Sequence, residues 1–233
     1  MNDCFLTSLS QAKRTPSIGG FVPFSTVDWP GKLAAVVFIA GCPWSCHYCH
    51  NPHLQQRGAT QSWESILQIL EKRVGLLDGV VFSGGEPFND PLWTQLIHQT
   101  KELGFKVAVH TAGIYPLRLL EALPSLDWVG LDIKTTPQGY TALTGRQKSA
   151  EPVQQCLEAL IAWAGAFECR TTWHPAWLTE TALLDLAQSL AAQGVRKYAV
   201  QRSRSVVHSL PVAEVSLLAR TALQGLFETF SYR

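Results

Sequence analysis

The stretch "GCPWSCHYCHNPH", residues 41–53, holds three of the chain's six cysteines and three of its seven histidines. Thiolates and imidazoles gathered in one loop are metal ligands first. Two chemistries fit the set. A structural zinc site closes with four protein ligands, here Cys42, Cys46 and Cys49 with one of His47, His50 or His53. A cube of four irons held by three thiolates instead leaves one iron open to a further ligand. The remaining thiols, Cys4, Cys156 and Cys169, are scattered and read as small buried or incidental residues. His98 and His208 show no ligand spacing, and His174 precedes Pro175, which favours extended backbone there.

Other residues fit for chemistry stand at the ends of apolar runs. In "SGGEP", residues 83–87, Gly84 and Gly85 allow close approach of the backbone to a ligand, and Glu86 offers an acceptor to an ammonium group. An ordinary turn is the plainer reading of the glycine pair. "HTAG" begins at His110, and "LDIK" carries Asp132 and Lys134. Asp132 could accept from a ribose hydroxyl or bind a cation; a paired surface carboxylate is the plainer alternative. Arg170 alternates with Cys169 and Thr171, so it points to one face of a strand, where burial demands an anion or acceptor partner and an edge position leaves it in solvent.

The elements that must position these residues follow from the pattern of apolar positions. β-branched runs alternate with segments of helical period, which predicts βα units around a parallel sheet. The strands fall at 33–40, 79–82, 105–110, 128–133, 167–173 and 197–201. Ser62 caps one helix; Asp90 and Pro91 open another that Gly104 closes. Further helices span 150–164, 180–193 and 212–224, the Pro- and Gly-rich segment 16–31 forms a hairpin or lead-in loop, and a last short strand lies near 227–232. Six βα units build either an open doubly wound sheet or an incomplete barrel. Both put functional groups just beyond the carboxyl ends of the strands, where the cysteine loop, SGGEP, HTAG, Asp132, Lys134, Arg170, Gln201 and Arg202 all fall. That shared rim is stronger evidence than any one motif.

With 233 residues, 46% of them hydrophobic, the chain can bury one substantial core, and one compact unit is expected. A formal charge of +1 provides no global field to attract nucleic acid or an anionic membrane. The longest apolar run, "LAAVVFIAGC", is too short to span a bilayer, and the first twenty residues lack a signal-peptide layout. A cytoplasmic location is expected, where thiols stay reduced and a tight cysteine cluster reads as metal or redox chemistry.

The spacing Cys42-x3-Cys46-x2-Cys49, with Tyr48 before the last cysteine, resembles the cluster motif of radical S-adenosylmethionine enzymes, and SGGEP resembles the motif that holds the methionine amino group in that family. Within it, "FSTVDWPGKLAAVVFIAGCPWSCHYCHNPH" is similar to the opening of the glycyl-radical-enzyme activases, through Asp28, Pro30, Gly31 and the YCHN of 48–51. The Trp-Pro-Gly form and compact length are most similar to the second type of activase for anaerobic ribonucleoside-triphosphate reductase. Formate-lyase activases usually have glycine where this chain has Trp29, and aspartate where it has His110.

The resemblance implies an α/β fold, an incomplete (β/α)6 barrel over 32–233 preceded by a lead-in segment over 1–31. It implies one 4Fe-4S cluster per chain on Cys42, Cys46 and Cys49, whose open iron is chelated by S-adenosyl-L-methionine. One electron then cleaves the sulfonium to methionine and a 5′-deoxyadenosyl radical, which takes a hydrogen from a glycine of a partner. That partner is a glycyl-radical enzyme, anaerobic ribonucleotide reductase in the branch most resembled, and a flavodoxin- or ferredoxin-type donor supplies the electron. By the same resemblance Gly84, Gly85 and Glu86 hold the methionine amino end, with Lys134 and Arg170 beside its carboxylate. Tyr48 packs near the adenine, Asp28 lies near the incoming peptide, and His50, Asn51, Thr111, Asp132 and Gln201 line the cosubstrate; the cation site that the family's third-strand motif provides is left open here by the departure at His110. Two rivals remain: a radical enzyme acting directly on a small molecule, and a zinc module with three cysteine ligands and one histidine ligand.

Overall fold

The computed structural model describes residues 14–203 and 213–233. Cys4, His208 and the start of the helix expected from Val212 lie outside the described residues.

One eight-stranded sheet, in the order β1-β2-β3-β4-β5-β6-β7-β8, organises the chain without closing on itself. Its strands are β1 (Ile18–Ser25), β2 (Ala34–Ile39), β3 (Gly79–Gly84), β4 (Lys106–Thr111), β5 (Trp128–Asp132), β6 (Ala166–Trp173), β7 (Lys197–Arg202) and β8 (Thr229–Tyr232). β1 runs antiparallel to β2, and every later neighbour is parallel. The fold is an α/β partial barrel. The six strands read from the sequence are β2 to β7; the lead-in segment supplies β1 and the short last strand is β8.

The parallel strands require helical crossovers, which α1 (Trp63–Glu71), α2 (Trp93–Glu102), α3 (Pro116–Ala122), α4 (Tyr140–Thr144), α5 (Ala150–Ala162), α6 (Glu180–Ala192) and α7 (Leu217–Gln224) provide. Capping fixes several starts. Ser62 accepts from Ser65 N, Thr179 from Ala182 N and Ser216 from Ala219 N, each satisfying an orphan amide of the first turn. α2 begins later than expected, at Trp93, and Asp90 caps the turn that precedes it. Its Oδ1 accepts from Leu92 N at 2.9 Å, while Oδ2 takes Ser17 N at 2.8 Å and Arg57 at 3.2 Å. Gly104, at φ +87, then ends α2 as expected.

Alternation along the strands divides the core into two layers. Ala35, Val37, Ile39, Val80, Phe82, Val107, Val109, Val129 and Leu131 face the helices, where Ile66, Leu70, Leu96, Leu157 and Leu183 meet them. The concave face holds a smaller cluster, Trp29, Ala34, Val36, Val81, Ala108 and Trp128. Trp29 stacks on Trp128 with centroids 6.2 Å apart. Trp29 lies in the loop after β1, and the other cluster residues sit in the amino-terminal halves of their strands. The next concave positions toward the carboxyl ends are Ser83, His110, Asp132, Arg170 and Gln201, so the interior turns from apolar to polar along the strand direction.

Candidate active site

The cysteine loop is fastened on both sides. Gly41 N donates to Leu54 O at 2.7 Å and Cys42 N to Gln55 O at 2.9 Å, closing the loop on its own exit. Gly85 N donates to Ile39 O at 2.8 Å and Glu86 N to Gly41 O at 3.0 Å, binding the SGGEP turn to the loop's entry. On the far side Ser45 N donates to Thr144 O, Arg146 Nε reaches Pro43 O at 2.9 Å, and Trp44 meets Tyr140 edge-on.

A cavity of about 210 Å³ opens at the carboxyl ends of the strands. Cys42, Cys46 and Cys49 line it together with Tyr48, His50, Asn51, Gly84, Gly85, Asp28, Asp132, Lys134, Arg170 and Gln201. Thirteen of the fifteen residues singled out from the sequence thus meet around one space. Ser83, Thr172, Trp44 and Arg233 also line it and were not singled out as site residues. Arg233 follows β8 and pairs with buried Glu168 at 2.6 Å. The carboxyl-end rule, applied to the short last strand, is the signal that would have found it.

Glu86 and Thr111 stand behind the cavity lining. Glu86 is 0% exposed, and its carboxylate accepts from Thr111 Oγ1 at 2.9 and 3.0 Å, Ala112 N at 2.9 Å and Phe88 N at 3.2 Å. Its side chain therefore ties the turn to the end of β4. Thr111 donates to Glu86, and Asp132 is paired with Arg170 and Lys134.

Burial pushes the Glu86 carboxyl up from 4.5 to about 7, against the three hydrogen bonds that favour its ionised form. The folded protein therefore holds this proton more tightly than the unfolded chain. The resulting stabilisation is complete below pH 4.5 and is lost as the pH rises through 7, a change of roughly 3 kcal/mol. Urea unfolding of the protein across this range is expected to show stability falling with pH, and Glu86→Gln is expected to remove that part of the slope.

Charges are placed on the opposite wall. Arg170 Nε and Nη2 both donate to Asp132 Oδ1, at 3.0 and 2.6 Å, and Lys134 Nζ lies 3.5 Å from Oδ2. Burial works to raise the Asp132 carboxyl, but Arg170 and Lys134 overcome it and hold it below the ordinary value. Burial likewise works to lower Lys134, yet Tyr48 and Asp132 reverse the effect and the ammonium stays charged. Gly130 makes room for this arrangement: a Cβ there would lie 2.8 Å from the Trp128 ring and 2.9 Å from Arg170 Cζ. Gly130→Ala is expected to force Arg170 off Asp132 at a cost of roughly 2 kcal/mol, read as a lower thermal midpoint.

The donor set fits an iron–sulfur cluster. The three thiols are free and partly buried on one cavity wall. Burial pushes Cys42 up to about 12 and raises Cys46, so these sulfurs become thiolates when metal displaces the proton. Among the described residues no three His, Cys, Asp or Glu side chains are placed to hold one single ion, the arrangement a zinc module needs. Tyr48, stacked on Trp177 at 5.0 Å with Lys134 Nζ 5.6 Å from its ring centroid, has a buried hydroxyl for which the described residues supply no partner. His47 and His53 are exposed outside the cavity lining, whereas His50 lines it.

Comparison with known proteins agrees with this geometry. The chain belongs to the radical SAM superfamily, whose profile matches residues 36–162, more than half of its length. It is 29% identical over 195 residues to a protein of Methanocaldococcus jannaschii provisionally named a glycyl-radical enzyme activating enzyme, covering 79% of each chain. It is 37% identical over 130 residues to the pyruvate formate-lyase-activating enzyme of Clostridium pasteurianum, covering 52% of this chain and 54% of that one. Among solved structures, Streptococcus suis SuiB bound to its precursor peptide SuiA shares the fold with a TM-score of 0.65 at 14% identity, over 84% of this chain and 48% of that one. Among the described residues no helix is long and apolar enough to cross a membrane.

Proposed function

We propose that this chain is a glycyl-radical-enzyme activase, which uses S-adenosylmethionine and a 4Fe-4S cluster on Cys42, Cys46 and Cys49 to take a hydrogen from a glycine of a partner enzyme. One observation carries the reading: the cavity lined by the three thiols and the glycine pair is also lined by Val27 and Asp28 of the lead-in loop, and Val27 is 76% exposed. A macromolecular substrate can therefore reach the same space that holds the cosubstrate.

When bound, the cluster supplies the electron that opens the sulfonium of S-adenosylmethionine. The chain's own residues bind and orient. Gly84 and Gly85 bring backbone to the cavity wall, packed so closely on β2 and the cysteine loop that a Cβ would lie 2.4 Å from Ile39 O or 2.7 Å from Gly41 O. Lys134 offers a fixed ammonium to the methionine carboxylate, and Arg170, held by Asp132, adds positive charge without turning toward solvent. Trp44, Tyr48 and Ala112 supply an apolar margin that limits water around a reactive species. Asp28 faces the side from which a peptide enters. The partner is a glycyl-radical enzyme, and the Trp29-Pro30-Gly31 form of the lead-in supports anaerobic ribonucleoside-triphosphate reductase.

Reduced protein, S-adenosylmethionine and that reductase are expected to yield a glycyl-radical doublet by electron paramagnetic resonance. Cleavage of S-adenosylmethionine without a doublet on any glycyl-radical enzyme would favour chemistry on a small molecule. A colourless protein that retains stoichiometric zinc after iron and sulfide reconstitution would favour the zinc module.

A further inference from the structure

His110 has no part in the chemistry above, yet the lead-in loop and the ends of two strands meet on its ring. Nε2 lies 2.7 Å from Asp28 O, Nδ1 lies 3.4 Å from Ser83 Oγ, and the ring sits edge-on to Trp128 with centroids 5.7 Å apart. A carbonyl oxygen only accepts, so Nε2 carries the hydrogen and donates to Asp28. Burial, followed by the charge of Arg170, pushes the imidazole down to about 3, so the ring is neutral. Nδ1 is then an acceptor, and the Ser83 hydroxyl donates to it.

Hydrogen bonds tie the lead-in loop to Ser25 at the end of β1 and close its turn. Ser25 Oγ donates to Asp28 Oδ2 at 2.5 Å and accepts from Val27 N at 3.2 Å, and Lys32 N donates to Trp29 O at 3.0 Å. The Trp29 ring and the His110 bond make the connection to the concave face. Of the two, only the His110 bond is directional, and it ends on the residue that lines the cavity.

We propose that His110 is a positioning residue for the glycine-bearing substrate: by holding Asp28 O beside Ser83, it fixes the loop over 26–31 against the cavity and sets where the partner's glycine comes to rest. The inference rests on the activase reading for its substrate and on the hydrogen bonds alone for its geometry. Glutamine can place an amide N–H near the position of Nε2, whereas asparagine and alanine cannot reach Asp28.

The test compares His110→Gln with His110→Asn and His110→Ala in the reconstituted protein. Two quantities are read: glycyl radical formed per S-adenosylmethionine cleaved, and hydrogen exchange at the amides of Val27 and Lys32. His110→Ala and His110→Asn are expected to lower the coupling ratio about tenfold and to speed exchange in the loop about tenfold, the loss of one buried hydrogen bond. His110→Gln is expected to restore most of both. Should His110→Ala not fold, the contrast between asparagine and glutamine decides alone. Wild-type coupling and exchange in His110→Asn, or a glutamine variant as impaired as the asparagine one, would overturn the proposal. Should wild-type protein form no glycyl radical on any partner, the activase reading fails, while the exchange contrast still decides whether His110 holds the loop.

Discussion

Cys46→Ser is expected to leave the protein without iron–sulfur absorbance and to reduce S-adenosylmethionine cleavage to the background of cluster-free protein. On the proposed reading three thiolates are the whole protein ligand set, and a serine hydroxyl is neither soft nor ionised at working pH. Cys46 is also the central ligand of the loop, and its carbonyl accepts from Cys49 N at 3.1 Å, so the turn that presents Cys49 is built on it. The loop stays anchored through Gly41, Cys42 and Ser45, so the loss is in ligation and not in folding. Anaerobic reconstitution followed by iron analysis, visible absorption and an assay for 5′-deoxyadenosine checks it. Cys156→Ala is the control: Cys156 is fully buried on α5 among core residues, and the variant is expected to keep cluster and cleavage at a cost of about 1 kcal/mol in stability.

Gly84→Ala is expected to be the next largest effect. Gly84 has φ +117, and a Cβ there would lie 2.4 Å from Ile39 O and 2.6 Å from Ile39 N. Both are backbone atoms of the neighbouring strand, paired with Gly84 in the parallel ladder, so neither can swing aside. Backbone strain and overpacking together cost roughly 4 kcal/mol, enough to lower the thermal midpoint by about 10 °C in a chain of this size. Relief requires separating β3 from β2, which also pulls the glycine pair from the cysteine loop. Cluster loading is therefore expected to fall along with stability. Gly31→Ala provides the comparison. At φ +71 with nothing within 4 Å, it bears backbone strain alone, about 1 kcal/mol, and differential scanning calorimetry separates the two.

The parallel strands were legible because strands buried on both faces read as unbroken β-branched runs, as in "AAVVFI" and "GVVF". The rim was legible for a related reason: polar residues such as Asp132 and Gln201 appear where those runs stop. Direction was harder to read. Glu86 belongs to a recognisable motif, but the left-handed turn at Gly84 sends its carboxylate behind the loop toward Thr111 and Ala112, which no spacing rule encodes. Asp90 before Pro91 looks like a helix start. One oxygen does accept from Leu92 N, but the other serves Ser17 and Arg57, 73 and 33 residues away, which no local spacing encodes. β1 was readable only as Pro- and Gly-rich, since six of its eight residues are not buried and its partner strand precedes the cysteine loop. Arg233 reached the site through a four-residue strand too short to give a periodic signal.

The central claim is that the protein leaves one iron for S-adenosylmethionine, and hyperfine spectroscopy of the reduced, reconstituted protein tests it most directly. With S-adenosylmethionine labelled at its methionine nitrogen and carboxylate oxygens, coupling of the cluster spin to both labels is predicted. Coupling instead to nitrogen in protein labelled at histidine, with none from the cosubstrate, would contradict the account.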